Sequence, residues 1–417
     1  MAVLTLRRGA WSDRPPVSLD LPHSWSVRVL EGSPPAPISP SAIGERIDAA
    51  IGSPRLADVA RGRTRAVVAI DDLTRPTPTD ELLPPVLERL ESAGISSDRV
   101  TILIAGGTHA LPSHEEIKAK VGPDLAGRVR IVAHDMGGSR LRSLGATARG
   151  IPIDVNEVLL DADLRVGVGG VYPHPAAGFS GGSKIIAPGL CGLDTARKLH
   201  DLRPAGRGVI ENEFRREVDA VAGRIGLDFV VNAVVDHERR LVGVFAGDRV
   251  AAHRTAAREA RQWFRVAPDR SAQIVIADAY PFDTHLDFAR DRALWPLETA
   301  RGGTVRVAVA SCSMGTGEHA LRRGIGKGIV QRLRTFGPAE LARIGVRVGN
   351  LRRQLRSRRL EMIFLADGLT DEELRRDHPR ATLVRNEDEL MAAIGARLRT
   401  PAPRVAVYRG APLLVIR

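Results

Sequence analysis

Lysine is scarce in this 417-residue chain. Of its 61 lysines and arginines only five are lysine, so arginine stands almost wherever a plain positive charge is needed. Aromatic residues make up 4%, which leaves the cores to valine, isoleucine, leucine and alanine. The two cysteines, Cys191 and Cys312, are too few and too far apart for a disulfide framework or a paired-cysteine metal site. No apolar stretch approaches the length of a membrane span, and residues 1–8 hold no signal-like apolar core. The expected location is the cytoplasm, with no membrane partner. The net charge of +12 raises the question of nucleic acid. The arginines, however, are scattered beside glutamates in helical patterns without an interleaved aromatic stripe, so nucleic acid is not an expected partner.

What is present alternates between strands and helices. Apolar runs at 65–70, 100–105, 129–133, 164–168 and 229–235 read as buried strands. Leu82, Leu83, Val86, Leu87 and Leu90 recur at helical spacing, Ser113 begins a capping-box pattern, and 251–264 reads as a helix. A second cycle follows, with strand 273–279, helix 286–300 and strand 304–310. Residues 320–360 are helical in pattern, and 404–408 with 412–416 read as a hairpin. Residues 13–40, rich in proline and serine, read as an extended entry. The fold expected is α/β: two α/β domains with mainly parallel sheets covered by helices, and the active site in the cleft between them. The N-terminal domain is expected over 1–268, rejoined by 403–417, and the C-terminal one over 271–400.

Ligands of parallel sheets bind at the carboxyl ends of the strands. Four polar loops follow strands here: Asp71-Asp72-Leu73-Thr74-Arg75-Pro76, Gly106-Gly107-Thr108-His109, His134-Asp135, and Gly169 to His174, which leads into Ser180-Gly181-Gly182-Ser183-Lys184. Each has an ordinary explanation. Asp71 or Asp72 could cap the helix led by Pro76, and His200 could serve as a helix-end cation. Lys184 admits two readings. A lysine amine can be neutralised and become a nucleophile, which an arginine cannot. Equally, glycines with a lysine suit the cradling of an anion.

Together, the Asp71–Pro78 run, Gly107-Thr108-His109 and the His174–Lys184 run resemble the lactate racemase family, whose members use a nickel-pincer nucleotide. Pro188-Gly189, His200, Glu211–Arg215, Asp228–Asn232 and Gly243–Asp248 are similar to that family too, so the likeness covers about 65–312. The resemblance implies a 2-hydroxy acid racemase or epimerase that passes through a 2-keto acid by hydride abstraction and return. It implies His109 and His174 as the acid/base pair, His200 as the nickel ligand and Lys184 as the covalent tether of the cofactor. Asp71, Asp72, Thr74, Arg75, Ser180, Gly181 and Gly182 would line the cofactor, with Arg75, Tyr280 and Arg290 at the substrate. The partners implied are the hydroxy acid and the enzymes that make the cofactor. Leu286–Asp291 departs from the family's Tyr-Gln and lysine pattern, and 350–360 lacks the family's frequent tryptophan, so a substrate other than lactate is expected. The competing reading is a nucleotide- or phosphate-binding protein of the same fold, with a non-covalent Lys184 and no racemase activity.

Overall fold

The computed structural model describes residues 2–12, 14–317 and 358–416. Two six-stranded sheets organise it. The first runs in the order Leu241–Gly247, Phe229–Val235, Leu164–Gly170, Ala66–Asp71, Val100–Ala105, Arg130–Ala133. All its neighbours are parallel except the first pair. Both faces of Ala66–Asp71 are covered, which is why its apolar run is continuous. Ala66, Val68 and Ile70 join a core with Leu82, Leu83, Val86 and Leu90 of the helix Thr79–Ser92. Val67 and Ala69 face a second core holding Phe214, Val218 and Val221 of the helix Glu213–Ile225.

The second sheet runs Ala381–Val384, Met362–Leu365, Val305–Val309, Ile274–Asp278, Arg404–Tyr408, Ser26–Leu30, all parallel. Its far core takes in Leu4, Leu6, Val17, Leu19 and Leu21 from the antiparallel pair Ala2–Leu6 and Val17–Leu21. The α/β expectation of mainly parallel sheets therefore matches the structure.

Several local expectations change. The entry at 13–40 contains two strands, and Ser26–Leu30 pairs with Arg404–Tyr408 in the second sheet. Chain from both ends thus builds that sheet, and only Val415–Ile416 returns, pairing with Arg265–Val266. Nor do 404–408 and 412–416 form a hairpin, because each finds a parallel partner elsewhere. The helix expected over 286–300 breaks into Leu286–Ala293 and Trp295–Thr299. Pro296 cannot donate to the Arg292 carbonyl one turn back, and that carbonyl accepts from Arg207 at 3.1 Å instead. Most of the helix expected over 320–360 lies outside the described residues.

Candidate functional site

The carboxyl ends of the first sheet's strands face loops and a helix of the second domain. A pocket between them is lined by Asp72, Thr74 and His109 from one side and His285, Asp287 and Phe288 from the other.

Asp72 is buried and accepts hydrogen bonds from the Thr74 amide (3.1 Å) and the Thr74 hydroxyl. Its other oxygen lies 2.5 Å from His109 Nδ1. Burial alone would raise the Asp72 carboxyl. The charge and hydrogen bond of His109, with Arg75 and Thr74, instead hold it well below the usual carboxylate range. Burial lowers His109, and Asp72 offsets only part of that. The consistent state is an ionised Asp72 accepting from the Nδ1–H of a neutral His109, whose Nε2 keeps its lone pair. Phe288 closes this corner, its ring edge-on to His109 at 5.1 Å and 5.1 Å from the Arg75 guanidinium.

His174 stands the other way round. Its Nδ1 accepts from the backbone amides of Ala176 (3.1 Å) and Ala177 (3.2 Å), so its proton sits on Nε2. Burial, then the cations Arg292, Lys184 and Arg75, push its pKa well down. His200 donates from Nδ1 to the Ala196 carbonyl at 2.7 Å, which fixes the ring and leaves the Nε2 lone pair available to a ligand. Burial lowers it to about 4.

Lys184 bears electrostatically on all three histidines. No described residue forms an ion pair with it. Burial, with Arg75, Arg292 and Arg215 nearby, holds its amine well below the ordinary lysine range. The loop that carries it is built to a fixed shape. Gly181 (φ +77°) and Gly182 (φ +57°) lead into the short 3-10 helix Gly182–Ile185. The Gly182 amide donates to Asn232 Oδ1 at 2.8 Å. A Cβ on Gly182 would lie 2.8 Å from the His253 ring, whose Nε2 donates to the Ser180 carbonyl at 2.8 Å. Fully buried Arg215 donates to the carbonyls of Gly181 (3.0 Å) and Phe179.

Asp72, Arg75, His109, His174, Lys184 and His200 thus lie within electrostatic reach of one another, with Thr74 bonded to Asp72. Other candidates have different work. Asp71 accepts from Thr77 (2.6 Å) and the Gly170 amide (3.0 Å), and pairs at 2.7 Å with buried Lys120. Those bonds tie the end of its strand to Thr77, to Gly170 of the strand Leu164–Gly170 and to Lys120 of the helix His114–Val121. The Ser180 hydroxyl is likewise occupied, donating to the Gly170 carbonyl and accepting from the Tyr172 amide, both at 2.8 Å. Tyr280 is buried beside Arg7 and Arg239, away from the pocket lining. Arg290 is held by Asp287 (2.7 Å), Asp377 (2.9 Å) and Asp291 (3.2 Å), which fill the guanidinium that a substrate carboxylate would need. Sequence reasoning missed Lys120, Arg215, Phe288 and Arg292. For Arg292 a signal existed: it follows Ala289 by three residues, on the buried stripe of its helix.

Residues 13–207 match the lactate racemase N-terminal domain family. The lactate racemase of Lactiplantibacillus plantarum is 31% identical over 252 residues, 58% of this chain and 59% of that protein. That of Thermoanaerobacterium thermosaccharolyticum is 32% identical over 283 residues, 66% of each. The aligned part thus spans roughly three fifths to two thirds of these relatives' length. The lactate racemase apoprotein structure from T. thermosaccharolyticum superposes over 100% of both chains with a TM-score of 0.75 at 25% identity. A Thermotoga maritima protein shares the fold alone, at 17% identity and a TM-score of 0.63, over 93% of this chain and 100% of that one. Two α/β domains around a histidine-lined lysine loop, with these likenesses, make the lactate racemase family the one this chain resembles.

Proposed function

We propose that this protein is an isomerase that racemises or epimerises a 2-hydroxy acid, lactate-like or larger, using a nickel-pincer nucleotide joined to Lys184. The observation that carries the reading is a lysine with no carboxylate partner among the described residues, its amine held toward the neutral form among three neutral histidines. Lowering an amine's pKa favours the nucleophilic neutral form, whereas an anion-cradling lysine would keep its charge.

The residues fit the cofactor. At Gly181 and Gly182 a Cβ would run into Val171 and the His253 ring, so glycine there lets the lysine loop pack closely in its fixed shape. His200 offers one free imidazole nitrogen, and soft donors with one imidazole suit Ni(II). No cluster of three or more His, Cys, Asp or Glu that could hold a metal occurs among the described residues, so the remaining donors have to come from the cofactor. When bound, the cofactor would supply a hydride acceptor, which the weakly acidic α-hydrogen of a hydroxy acid requires.

The chain's own residues do the proton work. His109 Nε2 takes the substrate hydroxyl proton, and Asp72 stabilises the imidazolium so formed. His174 presents an Nε2–H that can donate to the substrate oxygen on its side. Arg75 supplies positive charge for the carboxylate. With no helix among the described residues able to cross a membrane, we place the activity in the cytoplasm, beside the enzymes that make the cofactor.

The glycine-rich loop keeps a second reading in view: a nucleotide- or phosphate-binding protein with a non-covalent Lys184. Intact-protein mass and nickel content after co-expression with cofactor-synthesis enzymes separate the two. A covalent, nickel-bearing adduct is expected in the native protein and none in Lys184→Arg, whose guanidinium cannot form the thioamide. Cofactor mass retained on Lys184→Arg overturns the tether.

A further inference from the structure

Two guanidinium groups flank the histidine pair from opposite domains. Arg75, in the first domain, donates to the Thr74 hydroxyl at 3.2 Å on the His109 side. Arg292, on the helix Leu286–Ala293 of the second domain, reaches across to the Pro173 carbonyl at 3.2 Å, next to His174.

Arg292 is not satisfied as a structural arginine is. Arg207 donates to the carbonyls of Arg292, Ala411, Pro412 and Leu414. Arg290 has three carboxylates. Arg292 is only 5% exposed, has five N–H donors, and shows one carbonyl acceptor and a Phe282 ring 5.8 Å away. No described carboxylate lies within ion-pair distance of it. Its electrostatic neighbours are the cations Arg75 and Arg207 and one carboxylate, Asp291, which pairs with Arg290 at 3.2 Å. A buried cation left so is costly unless a ligand neutralises it.

We propose that Arg292 anchors the substrate and that the hydroxy acid taken here carries a second carboxylate. Arg75 holds the carboxylate beside the reacting carbon, and Arg292 holds the distal one. A monocarboxylate would leave one of the two guanidinium groups without a counter-ion. The inference rests on the racemase reading, and it assigns the substrate class of that same site.

The test compares malate, a 2-hydroxy dicarboxylic acid, with lactate on cofactor-loaded wild type, Arg292→Gln and Arg292→Lys, followed by chiral chromatography. Wild type is expected to favour malate by kcat/KM. In Arg292→Gln that preference should fall about 10²-fold, chiefly through KM, because a charged buried contact is lost. Arg292→Lys should recover part of it. An unchanged malate-to-lactate ratio in Arg292→Gln, or a wild-type preference for lactate, overturns the proposal. If the nickel-loaded wild type racemises no hydroxy acid, the racemase reading is what fails. Calorimetry on the cofactor-free protein then still decides the subsite: malate binding that depends on Arg292 supports it. Binding of inorganic phosphate but not malate, dependent on Arg292, assigns the arginine to a phosphate and overturns it. Thermal unfolding confirms that each variant folds.

Discussion

His109 and His174 present opposite tautomers to the same site. The first donates a hydrogen bond from Nδ1–H to Asp72, and the second accepts hydrogen bonds from two backbone amides at Nδ1. One ring is thereby set as a base and the other as a donor, each by a partner outside the reaction. The asymmetry makes the two histidines separately testable.

Asp72→Asn should keep the fold, since an amide oxygen can still accept from Thr74. It removes the charge that steadies an imidazolium at His109. Turnover should fall about 10²–10⁴-fold with the covalent adduct intact. Adduct mass together with a racemisation assay reads both, and near-native turnover would remove Asp72 from the proton relay.

His174→Asn separates catalysis from structure. An asparagine oxygen can replace Nδ1 as acceptor for the Ala176 and Ala177 amides, whereas alanine would orphan them at a cost of about 1–3 kcal/mol. The expected outcome is a wild-type melting temperature with racemisation down about 10²–10⁴-fold. A variant that melts normally and still racemises would show that His174 only braces its loop.

His200→Ala should lower nickel per covalent adduct, because one of four donors is lost. Metal analysis beside intact mass measures this. Nickel content equal to wild type would leave His200 as a helix-end residue packed edge-on against Phe214 at 5.9 Å.

Acid should weaken the brace behind the lysine loop. Burial holds His253 well below its ordinary pKa. Unfolded chain therefore binds a proton there from about pH 6.5 downward that the folded chain refuses, so this contribution is lost as pH falls. The stability of wild type relative to His253→Gln should drop by about 1.4 kcal/mol per pH unit below 6.5. Denaturant unfolding at pH 7.0, 6.0 and 5.0 checks it, and a pH-independent difference would mean that His253 is protonated in the fold.

Much of this architecture was legible. Val67–Ile70 is an unbroken apolar run and Phe229–Val235 is broken only by Asn232, because helices cover both faces of their sheet, and the loops after Ala66–Asp71, Val100–Ala105 and Leu164–Gly170 carry the motif residues. Two things were hidden. Val17, Leu19 and Leu21 do alternate into a core, but Ser26–Leu30 takes its partner from Arg404–Tyr408, a pairing that local sequence does not encode. Arg290 and Arg292 differ by two positions on one short helix. Arg290 finds Asp377, on another element far along the chain, while Arg292 reaches the Pro173 carbonyl, and neither partner is visible from the helix itself.

The placement of Arg404–Tyr408 between Ser26–Leu30 and Ile274–Asp278 also constrains assembly of the second sheet. Within that sheet Ser26–Leu30 has no neighbour but Arg404–Tyr408, so it can join only through a strand that lies on the far side of the whole first domain in sequence.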